Sequence, residues 1–243
     1  MWPISAIGDF RKKKKEDAQI RERDKVMARY NQGMDQDKPF WRGAAMCDLC
    51  LYADTPGMAA IATDIVNRVE ARYGLKEAMH DAIYLMNCMR NAEVQSAVAE
   101  KTFLLAAKVD RANENEMSGV AMAANLIAFN APAGSDQRER GIALWREAVG
   151  TLSKTRLGVD FAFAAASNAA LGCAGSSDEL RHPLRGEAIE SWYKNVMELA
   201  KIDPDAATEE AKRIADNYND WGPSAPPFTA RAKEALQKFS VGN

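Results

Sequence analysis

Two cysteines and two histidines are the residues whose types and spacing could do chemistry. "CDLC" sets Cys47 and Cys50 at the C-x-x-C spacing, and each histidine closes an E-x-x-H: "EAMH" (Glu77, His80) and "ELRH" (Glu179, His182). A dithiol redox motif needs its first cysteine at a helix N-terminus, where the dipole favours the thiolate. "CDLC" instead lies inside an apolar helical run, and no second pair completes a zinc site. It reads as two core cysteines. Two E-x-x-H motifs with two further glutamates would build a di-iron site in a helical bundle. Here Glu77 and His80 share the polar face of their helix with Lys76, Asp81, Tyr84 and Asn87. The opposite stripe of Leu75, Met79, Ile83 and Met86 is apolar. Pro183 disfavours a helical ligand face at His182. No metal or cofactor is implied, no phosphate loop or nucleophile elbow is present, and no catalytic residue stands out.

Amides offer a binding chemistry instead. Asn87, Asn125 and Asn168 are 38 and 43 residues apart, each late in the first helix of a successive pair. A column of amides, each carrying donors and an acceptor, can hold the backbone of an extended peptide. The other charged feature is Arg11, Lys12, Lys13, Lys14 and Lys15. Residues 1–30 carry nine Lys/Arg and five Asp/Glu, while the remainder carries 23 and 29. A basic head on an acidic body suits an anionic partner or a neighbouring subunit. The acids Glu16, Asp17, Glu22 and Asp24 dilute the field and no aromatic platform follows, which argues against nucleic acid; a membrane-surface contact through Trp2, Ile4, Ile7 and Phe10 is the least expected use. Sparse apolar positions make residues 9–31 a solvated helix.

The elements that must position these residues are helical almost throughout. The 243-residue chain is 47% hydrophobic and 27% charged, rich in alanine and poor in strand-forming runs, which predicts an all-α fold. "MAAIATDIVNRVEARY" repeats its apolar positions every three or four residues, Asp54 or Thr55 is placed to cap it, and Gly74 closes it. About eleven helices follow one another through short turns. From Gly43 they group into helix–turn–helix pairs whose first members begin near residues 43, 75, 114, 155 and 204. The string fits an α-solenoid of antiparallel hairpins and equally an irregular multi-helix bundle. The expected organisation is a basic arm over 1–31 and one helical domain of about five hairpins over 32–243.

"AIESWYKNVMELAKIDP" resembles the second helix of a tetratricopeptide repeat. Ala188 and Trp192 stand four apart, as the small and aromatic positions of that motif do, and Pro204 follows. The resemblance covers about 17 residues and implies a helical-hairpin array that binds peptides or proteins.

No apolar stretch reaches the ~18 uninterrupted residues of a membrane span, no leader pattern opens the chain, and four cysteines suit a reducing compartment. The expectation is a cytoplasmic, non-enzymatic scaffold that binds a protein partner or sister subunits, as a monomer or homo-oligomer. The alternatives are a structural subunit of a larger assembly, such as a virion or secretion machine, bridged by the basic arm, and a helical metalloenzyme.

Overall fold

The structure is a computed structural model that describes residues 4–172, 183–217 and 225–241, with side chains over 12–170, 184–216 and 227–240. The described residues form eleven α-helices, one 3₁₀ turn and no strand, so the fold is all-α. The helices are α1 (Ile4–Asp35), α2 (Pro39–Leu49), α3 (Met58–Tyr73), α4 (Leu75–Cys88), α5 (Ala92–Ala106), α6 (Glu114–Asn130), α7 (Asp136–Leu152), α8 (Gly158–Gly172), α9 (Pro183–Leu199), α10 (Pro204–Asn217) and α11 (Ala225–Val241). The 3₁₀ turn, Cys50–Tyr52, continues α2.

The chain divides into two compact units, residues 1–102 and 103–243, and the division falls inside α5. Within the first, α1 packs on α2 and α3 on α4; within the second, α6 packs on α7, α8 on α9 and α10 on α11. The second unit also packs hairpin on hairpin in chain order, α8 against both α6 and α7, and α9 against both α10 and α11.

Three of the expected pairs, those beginning near 114, 155 and 204, are present. The first two are displaced by one helix, because α2 and α4 are second members, paired back to α1 and α3, and α5 stands between pairs. The reason lies in α1. Lys12–Lys15 are exposed, as a solvated helix requires, but Val26, Tyr30 and Met34 are buried. Arg23 is buried with them and donates through Nη1 to the carbonyl of Pro56. Four side chains at three-to-four-residue spacing suffice to seat the second half of this helix.

Local chemistry sets the boundaries. Pro39 and Pro204 open α2 and α10, where a missing N–H costs nothing. Asn113 caps α6, accepting from the Glu116 amide at 3.3 Å while its own amide donates to the Glu116 carboxylate at 2.9 Å. Ser135 accepts from the Arg138 amide and caps α7. The expected cap of α3 by Asp54 or Thr55 does not form. Gly57 precedes the helix at φ +78°, and Thr55 Oγ1 instead donates back to the Tyr52 carbonyl. Gly74 does have positive φ, in the extended, glycine-only region (φ 90°, ψ −175°), and so joins α3 directly to α4.

Alanine makes the seams. Ala121, Ala123, Ala124 and Ala128 of α6 and Ala162, Ala166 and Ala169 of α8 are fully buried. In α9, Ala188 and Trp192 are also fully buried. The Trp192 ring meets Phe228 of α11 edge-on at 4.9 Å and Phe163 of α8 at 6.5 Å. The small and aromatic positions of the repeat-like helix are therefore core positions between neighbouring helices.

Candidate functional site

The second helices of the hairpins in the second unit, α7, α9 and α11, are laced together by side chains. Arg146 of α7 forks onto both carboxylate oxygens of Glu187 of α9. Arg231 of α11 forks onto Glu190 of α9 with both bonds at 2.9 Å. Tyr193 Oη donates to Glu234 at 2.7 Å, and Lys238 Nζ donates to Tyr193 Oη at 2.6 Å. Hydrogen bonds from Tyr193, Arg231 and Lys238 hold the Glu234 carboxyl down to about 2. Arg146, Glu187, Glu190 and Lys238 are exposed and Tyr193, Arg231 and Glu234 half-buried, so the links fix orientation more than they add stability. The first three links each join residues 41 apart.

The first unit has the same device at a shorter interval. Arg68 donates to Asn31 and Cys47 meets Tyr84, each 37 apart; Tyr73 donates to Asp37, 36 apart; Asn91 donates to Asp54, 37 apart. Cys50 and Cys88, 38 apart, form a disulfide. Arg68–Asn31 joins α3 to α1 and Cys47–Tyr84 joins α2 to α4; Tyr73–Asp37 ties α3 to the turn after α1, Cys50–Cys88 ties the 3₁₀ turn to α4, and Asn91–Asp54 ties the segments that follow those two elements. Apart from the two Arg–Glu forks, the links use different residue types, so no sequence repeat is visible.

Between α7 and α9 runs a groove of about 340 Å³. Trp145 and Asn195 line it, and the buried Asn195 accepts from Ser153 Oγ at 2.9 Å. That bond satisfies the acceptor of a buried amide. Lys154 and Lys194 border the groove and form no ion pair among the described residues.

The candidate asparagines separate. Asn125 in α6 and Asn168 in α8 belong to one unit, on helices that pack together. Asn168 is exposed; Asn125 is half-buried, and its Oδ1 is buried with no hydrogen-bond partner among the described residues. Asn87 is exposed in α4, in the other unit, and lies on the second helix of its pair instead of the first. Lys12, Lys13, Lys14 and Lys15 are exposed and carry no ion pair among the described residues; the Arg11 side chain lies outside them. Further along this unit Phe40 is 82% exposed and Trp41 45%.

The cysteine reading is corrected. Cys47 is an exposed free thiol, and Cys50 is half-buried and bonded to Cys88. Neither is an inert core residue, because the end of α2 lies against α4 at the helix edge. Cys173 is outside the described residues. His80 is exposed, as expected of a polar face, but its neighbour Asp81 is buried. Asp81 falls three residues after Ala78 and four before Leu85, on the buried stripe, and that spacing was its signal. Arg42 Nε lies 3.9 Å from Asp81 and Arg42 Nη2 3.9 Å from Glu77. Burial pushes the Asp81 carboxyl up against the lowering effect of Arg42. Glu179 and His182 are outside the described residues, and among the described residues no group of three or more His, Cys, Asp or Glu is placed to hold a metal ion. No described helix is long and apolar enough to cross a membrane.

Compared with known protein families, with curated proteins and with solved structures, the chain matches none.

Proposed function

We propose that this chain is a helical-repeat scaffold of tetratricopeptide-like hairpins, acting by binding protein segments without catalysing a reaction. The observation that carries the reading is the recurrence of side-chain links between successive hairpins, at 36 to 38 residues in the first unit and 41 to 45 in the second. Proteins built from stacked hairpins present extended surfaces formed by equivalent helices. On α6 and α8 that surface would carry the half-buried Asn125 and the exposed Asn168, whose amides suit the backbone of an extended segment.

Panning a random-sequence peptide display library on the full chain tests this. Enriched peptides should bind the chain at least ~10-fold more tightly than an Asn125→Ala/Asn168→Ala variant, a difference of about 1.4 kcal/mol. The variant should keep the parent's helical circular dichroism. Peptides that bind both equally would remove the amide surface from the reading.

A second reading, a subunit of a larger assembly, is favoured by the exposed Lys12–Lys15, Phe40 and Trp41 of the first unit. Defined higher oligomers in light scattering would select it. The cytoplasmic address remains a proposal too, and the Cys50–Cys88 bond weighs against a strongly reducing compartment.

A further inference from the structure

Three cysteines of the first unit are placed to exchange one disulfide. Cys47 and Cys50 are three residues apart at the end of α2, and both meet α4. Cys47 Sγ lies 2.6 Å from Tyr84 Oη, and Cys50 is bonded to Cys88, one helical turn beyond Tyr84. A free thiol that solvent reaches thus stands one turn from a disulfide, on the same side of the same helix. We propose that this is a thiol–disulfide exchange site, in which Cys47 takes over Cys50 from Cys88.

The step balances within the chain. Cys47 gives its thiol proton to water, and its thiolate bonds to Cys50 Sγ. The Cys50–Cys88 bond breaks, and Cys88 leaves as a thiolate that takes up a proton. One disulfide and one thiol are present before and after, so no oxidant or reductant is consumed. Geometry permits the product. Residues i and i+3 of an α-helix have Cβ atoms roughly 5–6 Å apart, somewhat more than the ~3.8 Å of a disulfide. Cys50 is the residue at which α2 passes into the 3₁₀ turn Cys50–Tyr52. Tightening toward 3₁₀ geometry eclipses positions i and i+3, so a small extension of that turn brings the two sulfurs within bonding reach. Tyr84 is a positioning residue. Its hydrogen bond to Cys47, with burial second, holds its hydroxyl protonated up to about 12, so it can donate to the Cys47 thiolate.

The consequence is mechanical. Cys50–Cys88 ties the end of α2 to α4 across 38 residues. A Cys47–Cys50 bond is local to α2, leaves α4 untied and exchanges a free thiol at Cys47 for one at Cys88.

Peptide mapping of the full chain decides it. The oxidised protein is held in buffer without reductant, acid-quenched at intervals, labelled with N-ethylmaleimide, unfolded and digested with trypsin. Cleavage after Arg42, Arg68, Lys76 and Arg90 yields peptides 43–68 and 77–90. The tethered form gives the two linked, with the label on Cys47. The exchanged form gives peptide 43–68 bridged internally and unlabelled, with the label on Cys88. We expect both forms in the parent, only the linked pair in Cys47→Ser, and slower labelling of Cys88 in Tyr84→Phe. The proposal is overturned if the parent shows only the linked pair at all times, if Cys88 is labelled equally in Cys47→Ser, or if any other linkage pattern is found.

Discussion

Gly141 of α7 faces the backbone of Ala128 in α6 so closely that a Cβ at position 141 would lie 2.9 Å from the Ala128 nitrogen. Backbone, unlike the end of a flexible side chain, cannot yield there. Gly141→Ala should therefore destabilise the chain by roughly 1–3 kcal/mol, the cost of overpacking. Gly150 lies in the same helix with open space around its missing Cβ. Gly150→Ala should stabilise by roughly 0.5–1 kcal/mol through helix propensity alone. Urea unfolding of the two variants should move in opposite directions.

Tyr30 separates packing from polarity in α1. Its ring is fully buried and its hydroxyl has no hydrogen-bond partner among the described residues. Tyr30→Ala should cost about 3–5 kcal/mol. Tyr30→Phe removes only the unpaired hydroxyl and should be neutral or stabilising by up to ~1 kcal/mol. Lys14→Ala, on the exposed half of the same helix, should stay within about 0.5 kcal/mol of the parent. A large loss in Lys14→Ala by chemical denaturation would contradict the division of this helix into a solvated half and a seated half.

Asp81 should leave a pH signature. Burial raises its carboxyl above the ordinary 3.8; Arg42 and His80 pull it down, and Glu77 adds to the rise. The folded chain therefore keeps a proton that the unfolded chain releases. As pH rises from below 3.8 through the folded value, Asp81 contributes progressively less stability, and above that value the loss is complete. Asp81→Asn does not titrate. The stability of Asp81→Asn minus that of the parent should rise with pH across that window and then level off. A flat difference across acid pH would show that the carboxyl is solvated.

Reducing Cys50–Cys88 opens a 38-residue cross-link. On chain-entropy grounds this should lower stability by up to about 4 kcal/mol. Thermal melts with and without a dithiol reductant measure the loss, and Cys88→Ser should reproduce it without reductant. A melt insensitive to reductant would mean the unfolded chain gains little freedom from the cut.

The helices themselves were legible in the residues because their signals are local. The alanine-rich runs of α6 and α8, the Met58–Val69 stripe of α3, the prolines that open α2 and α10 and the glycine between α3 and α4 all act within a few residues. The pairing of the first helices was less so. Charge at Lys12–Lys15 made α1 read as solvent-facing throughout, and the burial of Val26, Tyr30 and Met34, with α1 packed on α2, shifted the register of the first two hairpins. The amides at 125 and 168 were found from spacing and do share a unit, whereas Asn87 kept the spacing but lies in the other unit and on the second helix of its pair.

By itself the amino-acid order determined that this protein is helical, where most helices begin and end, and which faces are apolar, since propensity, capping and periodicity are properties of neighbours along the chain. Only the tertiary structure decided which helices are partners, that Asp81 is buried beside Arg42, and that Cys50 meets Cys88 while Cys47 stays free. Those outcomes depend on residues tens of positions apart, brought together by the way alanine and glycine let helix backbones approach. No window of sequence carries that information.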